Sequence, residues 1–354
     1  MASASTSDVQ KSLSRRRSSL SAAISRMNPF SSSPDAKPRE DSPAPRRSSK
    51  PKLKLSFPGP TTTFRVGVSE DTNKKCRRTM EDTHIYQYDY AGVDDQGFFG
   101  IFDGHAGREA ADWCGQKFHI LFKEFIQKNP EASITDLFDA AFNHTDKALE
   151  SIPQKHCGCT AVTALVRWEQ RDGSKSRMLY TANVGDARAV LSRGGQATRL
   201  SYDHKGSDEN EMKRIAESGG LILNNRVLAV TRALGDAYMK DLITSRPFTT
   251  ETVLDQDDNI LVLACDGLWD VCTDQQAIDL IRDIKDPVVA SEKLVAYALE
   301  QFTTDNLTCM VIHLNKEPDP SLHHAPAESS TLGEAGLPLP VDDGTRASST
   351  AAIS

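Results

Sequence analysis

The stretch Gly97-Phe98-Phe99-Gly100-Ile101-Phe102-Asp103-Gly104-His105-Ala106-Gly107 decides how this chain is read. A short aromatic and aliphatic run bounded by glycines predicts a buried strand. After Gly107, residues Ala110, Cys114, Phe118, Leu121, Phe122 and Phe125 fall on one helical stripe. Asp103 and His105 are therefore expected on a turn at the mouth of the strand, with Gly104 letting the backbone approach whatever the acid binds. Asp-Gly is also an ordinary turn signal, so the stretch gains weight from its echo. Ile260-Leu261-Val262-Leu263-Ala264-Cys265-Asp266-Gly267-Leu268-Trp269-Asp270 is a second apolar run ending in Asp-Gly.

Around these two runs the pattern alternates strands and helices. Phe64 to Val68 and Ile85 to Tyr90 predict strands, with a polar loop from Ser69 to Thr79 and the adjacent acids Glu81 and Asp82 before the second. Helices are expected over about 107–128 and 134–150, the latter capped by Ser133 or Thr135. Cys159 to Trp168, Met178 to Val184 and Arg188 to Ser192 predict strands, with Gly185-Asp186 at a tight connection where the acid reads first as a turn residue. Asp203-His204-Lys205 is followed by a helical stretch with Met212 and Ile215, by Gly219-Gly220, and by Arg226 to Val230 leading into Thr231 to Asp236. Thr273 with Gln276 makes a capping box, Asp286-Pro287 opens another helix, and Thr304-Asp305-Asn306 leads into a last strand, Leu307 to Leu314.

The 354 residues carry a net charge of −7, distributed unevenly. Residues 1–60 have an excess of Lys and Arg, so the remainder is more acidic than the total. The first 60 residues, rich in Ser, Pro, Lys and Arg, and residues 316–354, rich in Pro, Ser, Ala and Gly, hold too few large apolar residues to offset chain entropy, and both are expected to be disordered. The middle, 61–315, is expected to be the folded body of the chain. Arg16-Arg17-Ser18-Ser19 and Arg46-Arg47-Ser48-Ser49 resemble basophilic kinase sites, and Ser33 and Ser42 precede prolines; ordinary tail composition explains them equally. Seven cysteines, most in apolar runs, predict free buried thiols and a reducing compartment, hence a cytoplasmic or nuclear protein. No apolar run approaches the ~20 residues of a membrane helix, and an acidic body disfavours nucleic acid as a partner.

Three apolar strands each meet an acid: Asp103, Asp266 and Asp305. Glu81 adjoins a fourth. Carboxylates crowded at the end of a rigid core either take up protons or gather cations. Hard oxygen donors without His or Cys suit Mg²⁺ or Mn²⁺. A metal pair sharing one carboxylate would activate a water for phosphoryl displacement, with His105 as proton donor and Arg77 as a fork for phosphate oxygens.

These motifs, in this order over residues 64–314, resemble the metal-dependent protein serine/threonine phosphatases of type 2C. The likeness is carried by Arg77 to His84, Asp103 to Gly107, Gly158 to Ala161, Asn183 to Arg188, Asp203-His204-Lys205, Thr231 to Asp236, Asp266 to Asp270 and Asp305-Asn306. It implies an α+β fold, a four-layer α/β/β/α sandwich with two central antiparallel sheets. It also implies two Mn²⁺ or Mg²⁺ ions per site. One is bound by Asp103 and the Gly104 carbonyl, with Glu81 reaching it directly or through water. The other is bound by Asp103, Asp266 and Asp305. Asp186 matches a ligand of a weaker third ion; Arg77 matches the phosphate holder and His105 the general acid; Asp82, Thr160 and Asp270 would support the ligands. The resemblance extends to fungal members acting on stress-activated MAP kinase pathways, implying phosphoprotein substrates including MAP kinases and their upstream kinases, and a monomer. The family's short insertion near Arg226 is missing here, Cys76 replaces a common aromatic, and Gly206 a common proline. A catalytically silent scaffold of the same fold would be expected to have lost a ligand, and none is lost.

Overall fold

The computed structural model describes residues 61–217, 229–315 and 317. The chain divides into two units at Lys52/Leu53, and every described residue lies in the second. The expected disordered arms, the kinase-like sites and the shortened hairpin around Arg226 lie outside the described residues.

Two antiparallel sheets face each other. One runs β1 (Phe64–Asp71), β11 (Leu307–Leu314), β10 (Asp258–Ala264), β6 (Arg188–Arg193) and β7 (Gln196–Arg199). The other runs β2 (Thr83–Gln87), β3 (Gly97–His105), β4 (Gly158–Arg171), β5 (Ser174–Val184) and β9 (Phe248–Leu254), with the two-residue β8 (Leu234–Gly235) pairing on β4. Helices α1 (Glu109–Lys128) and α2 (Ile134–Leu149) cover the second sheet, and α5 (Asp274–Ile281) and α6 (Pro287–Glu300) the first. A nine-residue α3 (Glu209–Glu217) and a one-turn α4 (Asp266–Trp269) complete the set.

Four layers require three apolar cores, and alternation along the strands supplies them. In β3, Phe98 and Phe102 pack under α1 and α2 beside Phe118, Phe122 and Phe142, while Phe99 and Ile101 enter the space between the sheets. In β10, Leu261 and Leu263 face that same space, and Ile260, Val262 and Ala264 face α5 and α6. A strand buried on both faces has no polar alternation, which is why these runs are apolar throughout. Local signals start the helices where expected. Ser133, not Thr135, caps α2 by accepting from the Asp136 amide; Thr273 and Gln276 form the full capping box of α5; Asp286 caps α6 with Pro287 at its first turn.

Several expectations need correction. Asp103, Gly104 and His105 are not on a turn beyond the strand: β3 continues through them, paired with Thr160, Cys159 and Gly158 of β4. β1 extends to Asp71, into the expected loop. β2 ends at Gln87, because Asp89 and Ala91 take left-handed backbone in a tight turn. Six cysteines are buried, but Cys76 is exposed.

The connection between β7 and β8 is held by one buried acid. The Glu211 carboxylate accepts from Thr231 Oγ1 at 2.7 Å, from Arg232 Nη2 at 2.6 Å and from Arg214 Nε at 3.1 Å. Burial pushes its pKa up, but the hydrogen bonds of Arg232 and Thr231 and the two guanidinium charges prevail and hold it at about 2, against an ordinary 4.5. A depressed carboxylate stabilises the fold above its unfolded pKa, and that contribution is lost as pH falls toward the folded value. Between about pH 4.5 and pH 2 the protein is expected to lose stability on the order of 3 kcal/mol from this group. In Glu211→Gln the urea midpoint should be lower at neutral pH and flatter across that acid range.

Candidate metal centre

Strand parity brings the acids to one end of the inter-sheet core. Asp103 follows Phe99 and Ile101 on the inter-sheet face of β3; Thr160 precedes Val162 and Ala164 on that face of β4; Thr308 precedes Met310 and Ile312 on that face of β11. Asp266 opens α4 two residues beyond the end of β10, and Asp305 stands two residues before β11. Asp186 lies in the β5–β6 turn, where Gly185 has φ +83° and where a Cβ would strike Thr160 at 2.5 Å. Thus Asp266 and Asp305 adjoin strand ends as expected, whereas Asp103 is a ladder residue.

Oxygens of Asp82 and Asp103 and the sulfur of Cys265 lie within 4.8 Å of one another. Asp82 Oδ2 accepts from Thr308 Oγ1 at 2.7 Å. Asp82 Oδ1 and Thr160 Oγ1 are buried without a hydrogen-bond partner. The Cys265 thiol is already engaged, donating to the Asn306 carbonyl and accepting the Thr308 amide. Burial first, then the charges of Asp82, Asp266, Asp305 and Asp186, drive the Asp103 carboxyl well above the ordinary carboxylate range. Burial and neighbouring acids likewise raise Asp266 and Asp186, and Asp305 rises despite Arg77. Burial brings Asp82 to about 6. Five carboxyls that each resist ionisation, with an orphaned buried oxygen among them, form a site deficient in positive charge. The donors are hard oxygens, and they fit a divalent cation of the Mg²⁺ or Mn²⁺ kind.

Glu81 approaches from the segment before β2. Its amide donates to Asn306 Oδ1 at 2.9 Å, and its carboxylate accepts from Thr79 Oγ1 and, at 3.4 Å, from the Gly107 amide. Asn306 also donates to the carbonyls of Thr72 and Thr79, so one amide side chain fixes the strand ends against each other. Gly104 meets a further constraint: a Cβ there would sit 2.5 Å from the Glu81 carbonyl oxygen. Its missing side chain admits the Glu81 backbone.

Arg77 and His105 each have an acidic partner. The Arg77 guanidinium, its side chain 40 % exposed, pairs with the Asp305 carboxylate and donates to the Thr304 carbonyl. His105 Nε2 lies 2.8 Å from Asp236 Oδ2. Burial lowers the imidazole pKa, but Asp236, Asp186 and Glu81 outweigh it and leave the ring more basic than an ordinary histidine. Gly158 makes room for the pair, since a Cβ there would collide with both groups. Two functional residues escaped sequence reasoning. Asp236 lay within a quoted motif, and nothing local tied it to a histidine 131 positions away. Lys205, 3.1 Å from Asp270 and 3.5 Å from Asp186, supplies the nearby countercharge; its position after Asp203-His204 gave no hint of that.

A two-sheet sandwich with a cation-seeking carboxylate cluster at one end defines a metal-dependent phosphohydrolase. The family model "Protein phosphatase 2C" matches residues 66–307. "Protein phosphatase 2C homolog 1" of Schizosaccharomyces pombe is 47 % identical over 268 residues, 74 % of this chain and 77 % of the relative. A Saccharomyces cerevisiae protein of the same name is 46 % identical over 264 residues, covering 71 % and 94 %. A solved serine-threonine phosphatase 2C from Toxoplasma gondii shares the fold at TM-score 0.60 and 20 % identity, over 73 % of this chain and 98 % of that one. The chain belongs to the protein phosphatase 2C family and is a metal-dependent protein serine/threonine phosphatase.

Because Gly104 seats Glu81 without touching the acids itself, Gly104→Ala tests the cradle. It should displace Glu81 and raise the Mn²⁺ concentration needed for half-maximal activity roughly tenfold or more, with the far-ultraviolet circular dichroism unchanged. A manganese titration of phosphatase activity measures it.

Proposed function

We propose that the carboxylate end of the sandwich holds two divalent cations, Mn²⁺ or Mg²⁺, around the shared carboxylate of Asp103. Asp103, the Gly104 carbonyl and Glu81 would hold one ion, and Asp103, Asp266 and Asp305 the other. The observation that carries this reading is the crowding at Asp103, a half-buried carboxyl whose ionisation is opposed by four neighbouring acids. Such ions supply Lewis acidity, lowering the pKa of water and neutralising charge on a phosphoryl group.

The chain's own residues do the rest. Arg77, partly exposed beside Asp305, turns its planar fork to the phosphate oxygens of a phosphoserine or phosphothreonine. His105, its ring made more basic than an ordinary histidine by Asp236, donates a proton to the departing serine or threonine oxygen. Asp82 accepts from Thr308 and braces Asp103; Thr160 stands opposite Asp103 in the ladder. Asp270 and Lys205 form an ion pair beside Asp186, so a third ion at Asp186 must compete with an ammonium group. That competition accounts for weak binding there.

The same reading takes the protein as a monomer of the cytoplasm or nucleus that restrains stress-activated MAP kinase signalling. Its support is the likeness to fungal members of the family. Phosphoproteomics of cells lacking the protein is expected to show raised threonine phosphorylation on MAP kinases or their upstream kinases; unchanged MAP kinase phosphorylation removes that assignment.

Two measurements test the metal centre. Saturating Mn²⁺ should raise the melting temperature in the absence of substrate, since ligand at 100 times its Kd adds about 2.7 kcal/mol to a folded state that alone binds it. In Asp103→Asn that thermal shift should shrink and phosphopeptide turnover should vanish. A wild-type melting temperature indifferent to metal, or turnover surviving EDTA, defeats the proposal.

A further inference from the structure

At the C-terminus of α6 the chain does something costly. The Thr303 amide donates to the Ala298 carbonyl and the Phe302 amide to the Leu299 carbonyl, both at 3.1 Å. These two bonds define a Schellman cap, in which the residue after the helix takes left-handed backbone and is usually glycine. Here it is Phe302, with φ +59°. A bulky residue in that conformation is an outlier. Its side chain offers no packing in return: it is 87 % exposed, more than any other large apolar side chain among the described residues. The cap geometry is satisfied, and yet the residue filling it is one that strains the backbone and leaves an aromatic ring in water.

The position explains the choice. Phe302 is followed at once by the segment that builds the site. Thr303 and Asp305 present their carbonyls to Asn73 Nδ2, and Thr304 presents its carbonyl to Arg77. Asp305 is three residues on, at most about 11 Å away along the chain. Phe302 therefore adjoins the metal end along the chain, at the start of a segment pinned by hydrogen bonds to the same loop that carries Arg77. For a peptide whose phosphate lies at Arg77, Phe302 is an exposed apolar side chain two residues along the chain from Thr304, whose carbonyl Arg77 holds.

We infer that Phe302 is a specificity-determining residue, against which the substrate chain lays a large apolar side chain a few residues from its phosphoserine or phosphothreonine. This rests on the phosphatase reading and adds the substrate class to it: phosphorylated segments with an adjacent hydrophobic residue.

The test uses the full chain with Mn²⁺ and phosphothreonine peptides of Gly and Ser in which a single leucine is moved from four residues before the phosphothreonine to four after. In the wild type, one or two leucine positions should improve kcat/KM roughly tenfold, the scale of one well-made aromatic contact. The gain should appear in KM, because a remote contact made equally before and during reaction leaves kcat alone. In Phe302→Gly that preference should disappear while the melting temperature rises by about 2–4 °C, relief of strain in a domain of this size. Phe302→Tyr should keep the preference. Val93→Ser, at an exposed apolar residue in the β2–β3 connection beyond the opposite end of β3, should also keep it. p-Nitrophenyl phosphate, which has no flanking chain, separates the two readings: if the wild type hydrolyses neither it nor any peptide, the phosphatase reading itself fails. Persistence of the leucine preference in Phe302→Gly, no leucine preference in the wild type, or a parallel loss of p-nitrophenyl phosphate hydrolysis and stability in Phe302→Gly would each overturn the assignment.

Discussion

Like charges forced together at the end of an apolar core govern this molecule. Asp103 sits on a strand paired on both sides, with its side chain directed into the space between two sheets. It cannot withdraw, because moving it means unpairing β3 from β4. Nor can its neighbours, which hang from the ends of β10 and β11 and from the β5–β6 turn. In a flexible loop such acids would spread into solvent. Here the apolar cores hold them, and their mutual repulsion becomes affinity for cations.

The remaining polar architecture manages that repulsion. Lys205 offsets Asp186 and Asp270, Arg77 offsets Asp305, and Asp236 holds the histidine rather than joining the cluster. Asn306 carries no charge but orders three strands' worth of backbone, accepting from Glu81 and donating to Thr72 and Thr79. Further out, Glu211 binds Arg214, Thr231 and Arg232, fixing the connection that leads to β8 and Asp236. The sequence spends its buried hydrogen bonds where the chain must not yield.

Much of this was legible in the residues. Fully apolar runs ending in Asp-Gly announced strands buried on both faces, since only burial on two sides removes alternation. Cap signals at Ser133, Thr273 and Asp286 fell where helices begin. Two strands, β7 and β9, gave no such signal: Gln196-Ala197-Thr198-Arg199 and Phe248 to Leu254 lie at sheet edges, largely polar and half exposed. The ladder position of Asp103 was hidden because Asp and Gly are poor strand residues, and only β4 across the gap holds them extended. Asp236 and Lys205 were silent because their partners are distant in sequence. The close approach of the Glu81 backbone to Gly104 was not legible, since the two are distant in sequence.

The first strand of the domain pairs with the last. β1 lies against β11, and Asn73 and Arg77, just beyond β1, reach the carbonyls of Thr303 to Asp305. During synthesis, then, β1 leaves the ribosome with no partner and waits for more than two hundred residues to follow, roughly 10–50 s at ordinary elongation rates. Until β11 emerges, neither its sheet nor the cation site can close. A nascent chain, or one terminated before β11, therefore carries no complete dephosphorylating centre.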